Sequence, residues 1–404
     1  MKKNRFLLPI SCLALVCSCG GTIVQRSSGT PISSPIPSDT PSSTFTRIPS
    51  TSETEVISQA KDVLESQYVR TNVEAENFDL GLSFQTVGEG DALCDDFLNV
   101  EIDDLKIDLT NNKVENDYTE AEIALVSSGS LAESHSLDFS YQDSGENPET
   151  HYVHSDGSLN PTEFAAEAYM KDGVAYFDLK NKGFWSIADY FISILDDATG
   201  TDRVSKAFNA VTAILKVNRA YVDLKELIIE EDDKTTIADI IDVTTSINYD
   251  SLYDYLEEST SFIKEEDGYH YHVEAEKEDI IDFLADNIGT SDTARDIIAQ
   301  LTTNLKVNAC SADILVREGY VAIDYDADLS GKLSGSLNPF TTDHVLGEGE
   351  ELKPIEFAFA SKGKVEFTSP EEISYPAKIG TEDYGTDLTE LVRAAIELLQ
   401  DNEE

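Results

Sequence analysis

The stretch Phe164–Leu179, with the sequence FAAEAYMKDGVAYFDL, carries the clearest fold signal in this chain. Two runs of β-forming residues, Phe164–Met170 and Val174–Leu179, flank Lys171-Asp172-Gly173. The Asp-Gly pair supplies the positive φ angles that a tight hairpin turn requires. The stretch therefore predicts a two-stranded antiparallel hairpin.

Alternating runs on both sides of this hairpin predict a larger antiparallel sheet. Apolar and polar residues alternate with the two-residue period of strands that have one wet face. The further predicted strands are Asp79–Thr86, Val100–Leu109, Tyr118–Val126, Ser136–Tyr141, Tyr269–Ala275, Ile314–Arg317, Tyr320–Leu329, Ile355–Ala360 and Lys364–Thr368.

Helical spacing of apolar residues predicts helices before, between and after these strands. The main ones are Glu53–Tyr68, Ser186–Asp196, Asp279–Asp286 and an amphipathic helix over Leu388–Leu399. Helices inserted between hairpins are expected to cover one face of the sheet, which predicts the α+β class.

Three elements between residues 164 and 368 carry a family resemblance. They are Ala168–Phe177 with Trp185 behind it, Gly268–Val273 before the predicted helix over Asp279–Leu284, and Glu318-Gly319-Tyr320 between two late strands. With these elements the chain resembles the LolA/LppX-like superfamily of bacterial lipoproteins, including its uncharacterised Gram-positive-type members. The resemblance implies a curved antiparallel half-barrel with helices packed in its concave face. It also implies an apolar cavity that holds lipid or a lipid-linked molecule.

The N-terminus has the pattern of a lipoprotein signal peptide over residues 1–18. Lys2, Lys3 and Arg5 precede the apolar run Phe6–Val16, which is too short to span a bilayer. Val16-Cys17-Ser18-Cys19-Gly20 is similar to a bacterial lipobox, in which the last cysteine receives fatty-acyl chains such as palmitate. We therefore expect Cys19 to be the lipidated mature N-terminus, anchored on the extracellular face of the cell membrane.

Residues 19–52 are predicted to be a tether, and residues 53–404 a single acidic α+β domain. The tether is rich in Ser, Thr and Pro and has few aliphatic residues, so it cannot bury enough surface to fold. Its prolines would keep the tether extended at about 3 Å per residue. The tether could therefore lift the domain tens of ångströms off the membrane.

The formal net charge of −49 restricts the classes of partner. Nucleic-acid binding requires basic surface that displaces counterions, so we expect no nucleic-acid partner. An anionic lipid surface would also repel the folded domain. Cations and cationic peptides remain compatible partners, as does simple solubility on a crowded cell surface.

Two cysteines follow the lipobox, at positions 94 and 310. An extracellular location permits a disulfide between Cys94 and Cys310. Two buried, small apolar thiols are an equally compatible interpretation.

The common catalytic signatures do not occur in the sequence. There is no G-x-S-x-G elbow, P-loop or Rossmann fingerprint. The many carboxylates make any chosen acid–base pair uninformative. We therefore expect neither enzymatic activity nor a cofactor.

Two patterns superficially resemble metal sites. His270 and His272 would share one face of a strand, but neither a cysteine nor a further histidine lies nearby. The alternating Asp324, Asp326 and Asp328 lack the Gly and Glu that an EF-hand loop requires at its sixth and twelfth positions. A solvated strand face accounts for the alternation, so we expect no specific metal site.

The predicted ligand-binding residues are apolar and lie on two helical segments or, for Phe184 and Trp185, directly before the first of them. If the helices occupy the concavity of the sheet, their apolar faces meet either each other or a ligand. These residues are Phe184, Trp185, Ile187, Phe191, Ile194, Ile280, Phe283 and Leu284. The first hypothesis is a lipoprotein that binds or carries an apolar or lipid-like ligand. The alternative is a non-catalytic envelope protein with a filled core that acts through its acidic surface.

Replacing Cys19 with Ser tests the anchor. We expect Cys19→Ser to release the protein into the medium or to leave the precursor unprocessed, because the acyl acceptor is lost. Cell fractionation with mass spectrometry of the N-terminus measures both outcomes, and Cys17→Ser is the matched control that should remain anchored. A processed, membrane-bound Cys19→Ser protein would contradict the assignment.

Overall fold

The fold, taken from a computed structural model, is dominated by one antiparallel sheet. The structure describes residues 53–87, 92–112, 120–142, 150–178, 182–199, 219–227, 262–278, 280–281, 292–337 and 352–393. Within these ranges, eleven strands pair in the order β6-β5-β4-β3-β2-β1-β11-β10-β9-β8-β7, and the sheet does not close. Helices are few among the residues that the structure describes, so this part of the predicted α+β fold has an unexpectedly large sheet component.

The strands are Tyr68–Val87 (β1), Leu93–Asn112 (β2), Ile123–Gln142 (β3), Thr150–Lys171 (β4), Val174–Asp178 (β5), Arg219–Asp223 (β6), Ile263–Lys264 (β7), Tyr269–Glu274 (β8), Lys306–Arg317 (β9), Tyr320–Leu333 (β10) and Ile355–Thr368 (β11). The helices are Glu53–Leu64 (α1), Lys182–Thr199 (α2), Leu224–Leu227 (α3), Asp292–Asn304 (α4) and Thr381–Tyr384 (α5). A further helical turn begins at residue 389.

The hairpin predicted from Phe164–Leu179 is confirmed as β4 and β5. Lys171 pairs with Val174 across the turn, and Asp172 and Gly173 have φ angles of 52° and 73°. Two positive φ angles match the primed hairpin turns, whose twist fits that of the flanking strands.

The first four strands are two to three times as long as the sequence predicted. Strands of six to ten residues were expected because Gly, Asn and Asp interrupt the apolar alternation. In the sheet, β1 to β3 instead run for 20 residues each, because a neighbour on either side pairs with most of each strand. Pro161 falls where the β3–β4 register shifts, a position that tolerates the missing N–H.

The register places apolar side chains on one face of the sheet, hereafter the apolar face. Val73 pairs with Val365, which pairs with Ile323, and Ile323 pairs with Ile314. A register shift at Glu76 interrupts the alternation, so even-numbered residues of β1 from position 78 onward continue this face. The opposite, polar face carries pairs such as Asp324 with Lys364.

Helix α1 buries the end of the apolar face nearest β8 to β11. Its residues Val56, Ala60, Val63 and Leu64 are at most 1% exposed, and they pack against strand residues such as Val316. The spacing of four, three and one residues forms a single helical stripe. This half of the fold therefore has a filled core.

The C-terminal segment covers the other end of the sheet on both faces. Leu388 packs against Ala220 and Val222 of β6 on the apolar face. On the polar face, Tyr384 packs against Tyr176, with ring centroids 5.0 Å apart. The predicted helix over Leu388–Leu399 is helical over 389–393, and its remainder lies outside the described ranges.

Candidate functional site

A buried polar cluster interrupts the apolar face beside helix α2. Glu133 and His135 of β3 and Ser155 of β4 are 4%, 1% and 4% exposed. Glu133 pairs in register with Val100 and His135 with Leu98, so both lie among apolar neighbours. Burying polar groups in such surroundings is costly unless they are hydrogen-bonded.

The members of the polar cluster bond to one another. His135 Nδ1 lies 3.1 Å from Glu133 Oε1, and His135 Nε2 lies 3.1 Å from Ser155 Oγ. Tyr190 of α2 completes the polar cluster: its hydroxyl donates to Glu133 Oε2 and lies 3.1 Å from His135 Nδ1. Burial first, and then the bond to Glu133, raise the pKa of Tyr190 well above its usual range, so the phenol remains a donor.

A glycine makes the close approach of these rings feasible. A Cβ atom at Gly157 would lie 2.9 Å from His135 Cε1 and 3.2 Å from the Tyr190 hydroxyl. The first distance is shorter than carbon atoms tolerate, and both neighbours are ring atoms held by the polar cluster. Because Gly157 has no side chain, His135 and Tyr190 can both approach the backbone of β4 closely.

The order Ser155–His135–Glu133 is also that of a serine-hydrolase triad. In such enzymes a sharp turn lifts the serine above the sheet, so that a carbonyl carbon can approach it. Ser155 instead lies within β4, paired with Leu137, and its side chain is nearly inaccessible. This setting favours hydrogen bonding over acyl transfer.

A strip of half-buried apolar side chains extends from the polar cluster across three strands. Leu98 pairs with Leu82, which pairs with Phe357. Along the next row, Val100 pairs with Leu80, which pairs with Phe359. The apolar strip is defined as these residues: Leu80, Leu82, Leu98, Val100, Phe357 and Phe359, all of intermediate exposure. It differs in this respect from the fully buried surface beneath α1.

Asp96 marks the outer limit of the apolar strip. It is 2% exposed, its Oδ2 accepts the Thr86 hydroxyl at 2.7 Å, and its Oδ1 has no hydrogen-bond partner among the described residues. Burial raises the pKa of Asp96 to about 6, although the bonds from Thr86 and from the Asp138 backbone N–H oppose the shift. A second acid therefore lies on the apolar face, and burial favours its protonated form.

The structure places the first five predicted ligand residues on α2, which packs mainly on β4 and also touches β3. This helix begins at Lys182, so Phe184 and Trp185 lie inside it rather than before it. Their rings are in edge-to-face contact at 5.3 Å. Ile187 and Ile194 are half-buried, and Phe191 is 37% exposed.

The second group of predicted ligand residues lies on the other half of the sheet. Ile280 packs against a cluster formed by Leu301 and Leu305, close to Leu333 of β10. Phe283 and Leu284 lie outside the described residues. The described members of the two groups therefore contact different strands and do not meet.

The arrangement of the strands separates the two cysteines. Cys94 lies on β2 and Cys310 on β9, with three strands between them. Strands are spaced about 4.8 Å apart, whereas a disulfide needs Cα atoms within about 7 Å. A disulfide between Cys94 and Cys310 is thus incompatible with this fold. Of the two thiols, Cys310 is buried and Cys94 is half-buried, so the alternative of two buried thiols fits Cys310 alone.

The histidine pair on β8 has acidic neighbours. His270 Nε2 lies 2.9 Å from Asp267, and His272 Nδ1 lies 2.7 Å from Asp313. The ligand atoms of Glu265, Asp267 and His270 all lie within 4.8 Å of one another at the solvent-facing β7–β8 hairpin. Exposed acidic groups often approach in this way without an ion, so the absence of a specific metal site stays a prediction.

Sequence reasoning missed the polar cluster altogether. The only local signal was Glu133 and His135 two residues apart, which places them on one face of a strand. Ser155 and Tyr190 are 20 and 55 residues from His135 in the chain, and pairing of β3 with β4 brings them together.

Comparisons with known proteins do not identify a relative. No protein-family model, curated protein sequence or solved structure matches the chain. Among the described residues, no helix is both long and apolar enough to span a membrane. The resemblance to LolA/LppX-like lipoproteins stays a prediction from the residues that carry it.

The raised pKa of Asp96 predicts a pH-dependent effect of Asp96→Asn. Between about pH 4 and pH 6 the folded protein binds a proton that the unfolded chain releases, so the wild type loses stability as the pH rises through this window. Asn does not titrate. We therefore expect the unfolding free energy of the variant, relative to wild type, to increase by on the order of 2–3 kcal/mol across the window. Urea unfolding at several pH values measures it, and a constant difference would contradict the assignment.

Proposed function

We propose that this chain is a lipid-anchored extracellular lipoprotein that binds or carries an apolar or lipid-like ligand on the apolar face of its sheet. In this proposal the sheet curves into a half-barrel whose concave side is the apolar face. Cys19 holds the protein at the membrane, and the Ser/Thr/Pro tether gives the domain its reach. The proposed role is not enzymatic.

The apolar strip is the observation that supports binding most strongly. Six large side chains on three adjacent strands form a contiguous surface, and each retains part of its exposure. A contiguous exposed apolar surface that is rimmed by polar groups is typical of a binding site. Ligand sites are also mainly apolar with a few placed polar groups, a description that fits the apolar strip beside the polar cluster.

The helices support the same interpretation, because they pack on the face that carries the apolar strip. Helix α4 contacts Phe357 at one end of the strip, and α2 contacts Glu133 at the other. A ligand between them would complete the burial of Leu82 and Leu98. A filled core is present in the part of the sheet beneath α1, away from the apolar strip.

Substitutions at Leu98 and Phe97 test this proposal. The two residues are neighbours on β2, and their side chains point to opposite faces: Leu98 belongs to the apolar strip, whereas Phe97 is 37% exposed on the polar face. We expect Leu98→Gln to weaken binding of the neutral fluorophore N-phenyl-1-naphthylamine about tenfold, because a polar group enters the apolar contact. Phe97→Gln should leave binding unchanged.

Fluorescence titration of the delipidated domain measures both affinities. Equal losses in the two variants, or wild-type protein that does not bind the probe, would contradict ligand binding on this face. The interaction protein with a filled core would then be the better description.

A further inference from the structure

The described side chains of helix α2 are less completely buried than those of helix α1. Four side chains of α1 are at most 1% exposed. Among the described side chains of α2, between residues 183 and 196, every one is half-buried or exposed. Buried apolar area is the main source of packing stability, so we expect α2 to cost less free energy per residue to displace than α1.

One specific contact of α2 with the sheet joins the Tyr190 hydroxyl to the Glu133 carboxyl group. Tyr190 donates to Glu133, and a hydrogen bond to an ionised acceptor is stronger than one between neutral groups. If α2 moved away, Glu133 would lose this donor while it remained on the apolar face. An incoming donor of the same kind would then restore the lost bond.

We propose that α2 is a displaceable cover and that Glu133, His135 and Ser155 bind the hydroxyl head of a neutral amphiphile whose alkyl chain lies along the apolar strip. The Tyr190 hydroxyl occupies the head position when no ligand is bound. This proposal rests on the proposed function, because it names the ligand class of the same surface.

The chemistry of the polar cluster selects a donor that carries no negative charge. Glu133 Oε2 accepts the Tyr190 hydroxyl and Oε1 lies 3.1 Å from His135 Nδ1. An alcohol can donate to this carboxyl group in the same way, whereas a carboxylate or phosphate ester without a proton offers only acceptors. The net charge of −49 acts in the same direction over longer distances. The Tyr190 phenol donates to Glu133 in the ligand-free protein. A ligand alcohol would replace it with a hydrogen bond of the same kind.

The geometry also accommodates the alkyl chain. Glu133 pairs with Val100, and the row continues through Leu80 to Phe359. Three strand spacings of about 4.8 Å give about 14 Å, comparable with an extended lauroyl chain. The head and the chain would therefore contact one continuous surface.

The fluorescence of Trp185 can report displacement of α2. Trp185 is the single tryptophan of the sequence and lies on α2. Its Nε1 is buried and has no hydrogen-bond partner among the described residues. Displacement of α2 should expose the indole to water, and we expect its emission to shift to longer wavelength.

The test compares three ligands with the same acyl chain: monolaurin with a hydroxyl head, methyl laurate with a neutral head that cannot donate, and anionic laurate. Calorimetry of the delipidated domain, below the aggregation concentration of each ligand and at high salt, gives the affinities. We expect monolaurin to bind about tenfold more tightly than either of the others, the effect of one charge-assisted hydrogen bond. Only monolaurin should also shift the Trp185 emission at equal occupancy.

Two variants should change the head preference in opposite directions. Glu133→Gln removes the charged acceptor, so the ratio of monolaurin to methyl laurate affinity should fall about fivefold or more. Tyr190→Phe removes the internal competitor for Glu133, so the same ratio should rise. A merely structural role for the polar cluster would not produce opposite signs. Glu163→Gln is the control, because it removes an exposed charge from the polar face of β4, the strand that carries Ser155.

Several results would overturn the proposal. Equal affinity of wild-type protein for the three ligands would exclude the hydroxyl preference, and unchanged ratios in both variants would exclude Glu133 and Tyr190 as its source. Release of laurate from monolaurin that disappears in Ser155→Ala would assign the polar cluster to acyl transfer instead. If the neutral fluorophore binds but the head preference is absent, the proposed function survives and this inference fails. If neither the fluorophore nor any lauroyl ligand binds, both fail.

Discussion

Pairing of β1 with β11 is the interaction on which the rest of the structure depends. It joins residues about 290 positions apart and connects the strands β2–β6 to the strands β7–β10. Because side chains alternate along a strand, this register decides which residues share a face. A shift of one residue would move Val365 and Phe367 to solvent and would remove the surface on which α1 packs. The filled core and the apolar strip both follow from the same alignment.

Local sequence was sufficient for elements whose signals are local. Asp172-Gly173 specified its turn, and Leu388 begins a segment that is helical from residue 389. Strand length was not predictable in this way, since Ser127–Ser130 has no apolar alternation and is held in β3 by its neighbours. The separation of Cys94 from Cys310 likewise depends on strand order, which a single sequence does not reveal.

Only part of the candidate site could be predicted from the sequence, because the rest depends on strand pairing. Apolar residues of α2 stood out through helical periodicity, and the structure places them against the sheet. The polar cluster depends on pairing of β3 with β4 and on the docking of Tyr190, so no short motif contains it. Polar groups buried among apolar neighbours are costly, and they are commonly retained where they bind something or hold an element in place. Here the two roles coincide, since the group that fixes α2 is the one that we assign to the ligand head.

Helices α1 and α2 both pack on the apolar face: α1 closes a core, whereas in our proposal α2 covers a binding surface. Amide hydrogen exchange of the delipidated domain, followed by mass spectrometry of α1 and α2 peptides, tests this distinction most directly. We expect α1 amides to exchange slowly, at a rate set by opening of the sheet, and α2 amides to exchange much faster through local opening. Equal, slow exchange in both helices would show that α2 belongs to a filled core and would contradict the ligand-binding account of this face.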